Sequence, residues 1–292
     1  MNIKLLQEKL QIPTTGEFDE FTEAAVRNFQ IKNNIPVTGV VDNPTKELLG
    51  DDKEGFVDTD RTSRNRIRNY PLSKDEYIVG TEKKEYIFLH HTAGWNDPYK
   101  VIKDWETDER KNIGVSYVIG GIHPTTLDPR FNGEIVKALP EKDYGWHLGI
   151  GNVPMHRNSI GIELCNFGYL FKRNNDYFTY TNTRVNPNEI IDLKREYRGH
   201  QYYHRYTEKQ IESLKWLILD IANRWGIDVT QGLQKKLKSA KDPWTAFDYD
   251  PQTKDIKGLH CHTNVSPKNR YGRYEKWDLF PQPEIIEMLL SL

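Results

Sequence analysis

The chain has 292 residues, 37% of them hydrophobic and 12% aromatic, which is enough to build one large domain and one small one. Its 41 basic and 42 acidic residues give a formal net charge of -1, so no bulk electrostatic field favours a nucleic acid or an anionic membrane as partner. No apolar run approaches the roughly 20 residues of a membrane span, and the amphipathic N-terminus lacks the pattern of a signal peptide. We therefore predict a protein made in the cytoplasm, without a nucleic-acid partner or a membrane span.

Residues 1–50 contain an internal half-repeat with an offset of 23 residues. Thr15-Gly16-Glu-Phe18-Asp19 corresponds to Thr38-Gly39-Val-Val41-Asp42. In each copy the glycine permits a turn with positive φ, and the Asp or Asn that follows can cap a new helix. Apolar residues at helical spacing accompany both copies, so we predict three short helices around a small core. This stretch resembles the peptidoglycan-binding domain type 1 family, which implies attachment to the bacterial cell wall.

Residues 51–75 are predicted to be a linker, because they are highly polar and show no apolar periodicity. Their basic cluster, Arg61-Thr-Ser-Arg64-Asn-Arg66-Ile-Arg68, could contact an anionic wall polymer. A solvated face is the commoner reason for such a run, and we assign it no function. Residues 76–292 form the predicted second domain.

From Tyr77 onward, short apolar runs alternate with helical patterns, which predicts an α/β domain. His90 ends the first run, at the carboxyl end of a strand, where α/β sheets present ligands and catalytic groups. The predicted strands are Tyr86–Leu89, Val115–Ile119, Glu134–Leu139 and Ser159–Leu164, and the first predicted helix is Tyr99–Trp105.

The second half of this domain contains one strong helix between two polar stretches. Residues 168–205, rich in Tyr, Asn and Arg, are predicted to be a surface insertion. The helix begins after Thr207, which can cap it together with Gln210, and ends near Gly226. Residues 230–257 are predicted to be a second polar excursion.

Two distant segments could place two imidazoles and a carboxylate around one zinc ion. The first ends in His90-His91, and the second runs from His262 to Asp278. Three protein ligands leave one coordination position open, as a hydrolytic zinc site requires.

Other potential ligands are less suitable. His200 and His204 have the spacing of a helical metal pair, but they lie in the polar insertion and have no evident third ligand. Cys165 and Cys261 are too few for a disulfide framework and are predicted to be reduced thiols.

Six sequence marks occur in order between residues 80 and 281. They are Ile-Phe-Leu-His90-His91-Thr-Ala-Gly, Val-Ser-Tyr117-Val-Ile, Gly145-Trp146-His147-Leu-Gly149, Asn158-Ser-Ile-Gly-Ile-Glu163-Leu, Tyr206-Thr-Glu-Lys-Gln and His262-Thr-Asn-Val-Ser-Pro267. Together they resemble the zinc N-acetylmuramoyl-L-alanine amidase type 2 family, which includes phage lysozyme-like amidases and peptidoglycan recognition proteins. The resemblance implies a mixed β-sheet flanked by helices, with a shallow groove over the zinc ion.

The resemblance also implies which histidines bind the metal. The first histidine of the pair is the ligand in the family, so His90 is preferred to His91. His262 is then the second ligand, with His260 as an alternative to it.

The third ligand requires an adjustment. The family usually places a lysine and then its last ligand about eight and ten residues after the second histidine, where this chain has Arg270 and Gly272. A six-residue insertion restores the Lys-x-Asp spacing at Lys276 and Asp278. The resemblance then implies that Asp278 is the third ligand and that Lys276 stabilises the oxyanion.

Two residues compete for the role of general base, since some family members use a carboxylate and others a tyrosine. Glu163 matches the carboxylate and Tyr117 matches the tyrosine. A carboxylate can accept a proton from water directly, whereas a tyrosine with a pKa near 10 is better suited to orientation, so we prefer Glu163. His147 matches a substrate-contacting histidine, and Trp146 could supply an apolar wall of the groove.

The sequence therefore predicts a zinc-dependent amidase that cuts the amide between N-acetylmuramic acid and L-alanine, with bacterial peptidoglycan as partner. Made without a signal peptide, it fits a phage endolysin that reaches the wall through a membrane pore. The alternative is a non-catalytic recognition protein of the same fold, in which the last ligand is lost. A zinc hydrolase of another amide, such as a peptidase, is a weaker rival.

Overall fold

The computed structural model describes residues 3–33, 35–41, 43–49, 66–81 and 83–292, which divide into two compact units, Met1–Ile67 and Arg68–Leu292. Most of the predicted linker, residues 51–65, lies outside the described residues. Within its last part, residues 67–69 form an edge strand and Leu72 is buried, because the backbone amides of Tyr70 and Leu72 donate to Lys137 and Ala138. Among the described residues, no helix combines the length and the apolar character needed to cross a membrane.

In the first unit the described residues form the helices α1 (Ile3–Lys9), α2 (Glu20–Lys32) and α3 (Asn43–Leu48). Asp19 caps α2, because its carboxylate accepts a hydrogen bond from the Thr22 amide at 2.8 Å. The buried residues of the small core are Leu6, Phe18, Val26, Val41 and Leu49.

The 23-residue repeat is a repeat of hydrogen bonds as well as of sequence. The Gln7 side-chain amide donates to Thr15, Glu17 and Thr22 at 2.8 to 2.9 Å, and its carbonyl accepts from the Gly16 amide. The Gln30 side chain makes the same four contacts with Thr38, Val40, Thr45 and Gly39. Each buried glutamine thus fixes one Thr-Gly turn whose glycine has φ above 70°.

The second unit is built on a six-stranded mixed sheet, in the order β1-β4-β3-β5-β2-β10. Its strands are β1 (Ile67–Asn69), β2 (Tyr86–His91), β3 (Tyr117–Ile119), β4 (Ile135–Lys137), β5 (Ser159–Leu164) and β10 (Gly258–Cys261). Strands β10, β2, β5 and β3 are parallel, whereas β3 and β4 are antiparallel. Four parallel strands in succession end at one edge, which is where the candidate site lies.

Helices cover the sheet, as the α/β prediction requires. They are α4 (Pro98–Glu106), α5 (Val153–Arg157), α6 (Glu208–Trp225), α7 (Leu233–Ser239) and α8 (Pro283–Leu290). The Thr207–Gln210 capping box and the left-handed Gly226 bound α6, confirming the predicted ends of this helix. Its apolar stripe is fully buried, from Ile211 to Ile221.

The two polar stretches contain more structure than their composition predicts. Residues 168–205 form two hairpins, β6 (Phe171–Arg173) with β7 (Asp176–Phe178) and β8 (Ile190–Tyr197) with β9 (His200–His204). Tyr197 and Tyr203 are buried, so the insertion is not simply a surface excursion. Within residues 230–257, α7 buries Leu233 and Leu237. In both stretches the apolar residues are too sparse to show periodicity, and burial depends on distant partners.

Candidate metal centre and active site

The central strands place His90 and Glu163 side by side. The Cα atoms of these residues are register partners in the parallel pair β2 and β5, close to the carboxyl ends of both strands. Partners in register share a face of the sheet, since side chains alternate along each strand. The two side chains therefore leave the sheet together at the edge where the parallel strands end.

Three buried side chains, His90, His262 and Asp278, converge at this edge. The Nδ1 atoms of the two imidazoles lie 3.0 Å apart. The Asp278 Oδ2 atom lies 2.8 Å from Nδ1 of His262 and 3.3 Å from Nδ1 of His90. His262 opens a short 3-10 helix (His262–Asn264) directly after β10, whereas Asp278 lies in a segment without regular secondary structure.

A backbone carbonyl fixes the tautomer of His262. Its Nε2 atom lies 3.0 Å from the carbonyl oxygen of Leu148. A carbonyl only accepts hydrogen bonds, so Nε2 carries a proton, and Nδ1 is the nitrogen that faces the cluster.

A chain of three hydrogen bonds fixes the tautomer of His90 in the same sense. The Ser159 hydroxyl donates to the His156 carbonyl at 3.0 Å, so its oxygen can accept from Nε2 of His147 at 2.9 Å. The neutral His147 ring then accepts at Nδ1 from Nε2 of His90, 3.0 Å away. The Nδ1 lone pair of His90 consequently also faces the cluster.

In the form that binds metals, with both Nδ1 atoms unprotonated and the carboxyl ionised, the cluster consists of three hydrogen-bond acceptors. Two imidazole lone pairs and a carboxylate at such distances would repel one another unless a cation lies between them. Zinc bonds of about 2.0 to 2.2 Å in a tetrahedron separate the ligand atoms by about 3.3 to 3.6 Å, so the three atoms, 2.8 to 3.3 Å apart, need to move outward by only a few tenths of an ångström to hold zinc. The donor set and its spacing fit a zinc ion with three protein ligands.

The charge states of these residues agree with that arrangement. Burial lowers the pKa of His90 to about 4, which keeps the imidazole neutral. A neutral imidazole and an ionised carboxylate are the forms that bind metals.

Glu163 is the carboxylate next to the cluster. One of its oxygens is buried without a hydrogen-bond partner. Burial, and next the charge of Asp278, raise the pKa of Glu163 well above its usual range, whereas the Lys276 ammonium opposes this shift. A carboxyl group with a raised pKa and an unoccupied oxygen is suited to accept a proton.

A groove of about 460 Å³ runs over the cluster. Glu163, Lys276, Trp146 and His147 line it, together with His262 and Asp278. The insertion contributes to the same groove. The insertion residues that line it are Tyr169 and Tyr180, and the Tyr180 hydroxyl donates to the Ala93 carbonyl at 2.7 Å.

The structure does not bring Tyr117 to the site, which corrects its prediction as a catalytic residue. Tyr117 is the register partner of Ile162, so its side chain leaves the sheet on the face opposite to Glu163. There the buried Tyr117 hydroxyl donates to the Glu141 carboxylate, which also accepts from Trp225. Among the two candidates for the base, only Glu163 faces the groove.

Three other histidines considered for the site, His91, His260 and His147, lie outside the group that could hold a metal ion. His91 lies on the opposite face from His90 and contacts the Tyr206 hydroxyl at 2.7 Å. The His260 Nε2 atom lies 2.6 Å from the Ile256 carbonyl, outside the cluster. His147 lines the groove, but both of its ring nitrogens are occupied by His90 and Ser159. Its predicted contact with substrate would use the ring edge.

Sequence reasoning missed the groups that orient the ligands. Ser159 lies within one of the six sequence marks, but a serine that opens a strand is common and nothing in the sequence indicates that its hydroxyl orients a histidine. The Leu148 and His156 carbonyls carry no signal, since any residue supplies a backbone carbonyl. Only the folded chain shows that they orient the two imidazoles.

Three solved structures illustrate what the chain is similar to. The amidase LysC from Clostridium intestinale is 17% identical, and the match covers 76% of this chain and 96% of that chain with a TM-score of 0.39. A mutant endolysin from Bacillus subtilis is 18% identical, with 56% of this chain and 79% of that chain covered and a TM-score of 0.34. The amidase AmiD from E. coli, in complex with a muramyl peptide substrate, is 24% identical, with 51% of this chain and 47% of that chain covered and a TM-score of 0.31. No curated protein sequence matches the chain.

Two family models match the sequence. A putative peptidoglycan binding domain matches residues 2–49, and N-acetylmuramoyl-L-alanine amidase matches residues 80–253. His262 and Asp278 lie beyond the second match. Because that match covers more than half of the chain, the protein belongs to the N-acetylmuramoyl-L-alanine amidase family.

Proposed function

We propose that this protein is a zinc-dependent N-acetylmuramoyl-L-alanine amidase that hydrolyses the amide between N-acetylmuramic acid and L-alanine in peptidoglycan. Residues 1–50 hold the enzyme on the wall, and residues 76–292 carry out the reaction. The observation that carries the proposal is the convergence of two imidazole lone pairs and a carboxylate within 2.8 to 3.3 Å of one another.

Each residue of the candidate site has a separate role in the proposed reaction. Bound by His90, His262 and Asp278, zinc would activate water and polarise the scissile carbonyl. Glu163 accepts the proton of the attacking water as the new carbon–oxygen bond forms. The Lys276 ammonium stabilises the negative charge that develops on the carbonyl oxygen.

Glu163 then returns its proton to the alanine nitrogen as the carbon–nitrogen bond breaks. The products are the carboxylate of N-acetylmuramic acid and a stem peptide with a free alanine amino group. The raised pKa of Glu163 supports this double role, since the same group must accept a proton and release it.

The non-catalytic alternative requires an incomplete site. Such a protein would lack the third ligand, yet Asp278 lies 2.8 Å from His262 in the described chain. A complete donor set and an adjacent carboxylate favour the enzyme.

The test is hydrolysis of purified peptidoglycan, with new amino termini identified by labelling and zinc measured per chain. We expect free alanine amino groups and about one zinc ion, and His262→Ala should lose both. His123→Ala is the matched control, because His123 caps a turn away from the cluster. New reducing ends, new amino groups on another residue, or full activity of His262→Ala would contradict the proposal.

The endolysin role is tested by a separate experiment. Protein that accumulates in a bacterial cytoplasm should leave the cells intact until the membrane is permeabilised, and then lyse them. Lysis that depends on His262 only after permeabilisation would support the role. Export of the intact chain without permeabilisation would contradict it.

A further inference from the structure

The tip of the second insertion hairpin lies against the segment that carries Lys276 and Asp278. Arg198, at the turn between β8 and β9, has a side chain that is only 2% exposed. Its Nη1 atom donates to the Lys276 carbonyl at 2.6 Å, and its Nη2 atom lies 3.3 Å from the Thr263 carbonyl. In return, the indole nitrogen of Trp277 donates to the Arg198 carbonyl at 3.1 Å.

These contacts join the two segments that carry the ligands His262 and Asp278. Thr263 directly follows the ligand His262, and Lys276 precedes the ligand Asp278 by two residues. The two segments also contact each other directly, because the Thr263 amide donates to the Asp278 carbonyl at 2.9 Å. A planar guanidinium can hold two carbonyls in fixed directions, which a lysine ammonium on a flexible stem cannot.

No regular secondary structure fixes this segment. Residues 266–282 form no helix or strand, so no ladder of hydrogen bonds sets the position of Asp278. Arg198 is further restrained by Asp248, 3.1 Å from Nη2, and by the Tyr274 ring, whose centroid lies 4.5 Å from the guanidinium carbon. The Arg198 guanidinium is thus buried against Thr263, Tyr274 and Lys276 of the ligand-bearing segment, and Asp248 outside that segment pairs with it.

We propose that the insertion at residues 168–205 positions the last metal ligand and the oxyanion-stabilising lysine, and that Arg198 is the positioning residue. Arg198 touches neither metal nor substrate; it acts through the backbone of Lys276 and Thr263. The inference rests on the proposed function for the identity of the metal, and it assigns the insertion a role in building the site.

The test compares Arg198→Met with the matched control Arg195→Met. Arg195 lies on the same hairpin, where it forms an exposed ion pair with Asp242. We expect Arg198→Met to bind zinc about 10- to 100-fold more weakly in chelator competition and to change the visible spectrum of the cobalt-substituted protein. Arg195→Met should match the wild type in both measurements.

Arg198→Lys should fall between the two, because an ammonium on a flexible stem keeps the charge and can donate to a carbonyl but does not hold both carbonyls in fixed directions. A role in stability alone would lower the melting temperature of Arg198→Met and leave its zinc affinity and cobalt spectrum at wild-type values. That result would overturn the inference. If Arg198→Met does not fold, Arg198→Lys and Trp277→Phe carry the test, and wild-type zinc affinity in both overturns it.

The proposed function and this inference fail in different ways. A wild-type chain that binds no zinc and releases no alanine amino groups would remove the proposed function. If the wild-type chain binds zinc and the Arg198→Met variant binds it equally well, only the proposed role of the insertion is contradicted.

Discussion

The two sides of the candidate metal site are held in different ways. On one side His90 and Glu163 occupy register positions of two central, fully paired parallel strands. On the other side Lys276 and Asp278 lie in a segment without regular structure, tied to the rest of the domain through the buried Arg198. We call these the strand side and the loop side.

This difference explains where sequence variation can be tolerated. A shift of one residue in a strand would turn His90 to the opposite face, so the spacing on the strand side is fixed by the sheet. The loop side can accept additional residues, provided that distant contacts hold its end in place. The adjusted Lys-x-Asp spacing is found on the loop side, beyond the range matched by the family model.

The largest effect is expected from removing one ligand on each side. His90→Ala and Asp278→Ala should both lose zinc and reduce the release of alanine amino groups to background, because two remaining ligands cannot hold the ion. Zinc per chain after dialysis measures the first effect. Asp242→Ala, which removes an exposed carboxylate, is the control. Retained zinc in Asp278→Ala would show that the third ligand lies elsewhere, and it would contradict the assignment of a ligand to the loop side.

Glu163→Gln tests the chemistry of the strand side without touching a ligand. The amide cannot accept a proton, so kcat should fall by about 10²- to 10⁴-fold while zinc content stays unchanged. Single-turnover hydrolysis together with metal analysis separates the two quantities. Glu208→Gln, on the surface of α6, serves as control. A kcat close to that of the wild type would exclude Glu163 as the base.

Ser159→Ala tests how the strand side orients its ligand. Without the hydroxyl, His147 can turn its proton towards His90, and we expect about 10-fold weaker zinc binding, the lower end of the usual effect of such partners. Ser159→Thr keeps the hydroxyl and should bind zinc as the wild type does. Chelator competition gives both affinities, and equal affinities for the alanine and threonine variants would refute the orienting role.

The smallest effect concerns the stability of the insertion. Burial raises the pKa of Glu189 to about 7, and one carboxylate oxygen has no hydrogen-bond partner. A carboxyl whose pKa is higher in the folded state favours folding below its unfolded pKa, and this contribution is lost as the pH rises through about 7. Glu189→Gln should therefore raise the melting temperature at pH 8 relative to the wild type, with a much smaller difference at pH 4.5.

Thermal unfolding at both pH values makes this measurement, and Glu196→Gln on the same hairpin is the control. Equal melting temperatures of Glu189→Gln and the wild type at pH 8 would show that the buried carboxyl does not limit the stability of the hairpin.

The elements of the strand side could be predicted from sequence because their signals are local. The apolar run before His90 predicts a buried strand, and the Thr207–Gln210 pair predicts the start of α6, which the structure confirms. Tyr117 shows the limit of this reasoning. Its neighbourhood in the sequence matches the family pattern, but the register of β3 turns its side chain away from the groove.

The sequence alone was sufficient for the α/β class, the family and the residue types that gather at the site. The resemblance to the family also implied a six-residue insertion before Asp278, which restores the Lys-x-Asp spacing. The α/β class follows from periodicity along the chain, and the family follows from the order of the six sequence marks; both signals depend on near neighbours.

Only the tertiary structure decided which nitrogen atoms face the cluster and how the loop side is held. The relevant partners are the Leu148 carbonyl, Ser159 and Arg198, each separated from its contact by many residues or acting through the backbone. Long-range hydrogen bonds leave no period in a sequence. For the His262 to Asp278 segment, the candidate ligands could therefore be predicted from the sequence, whereas their positions depend on the fold.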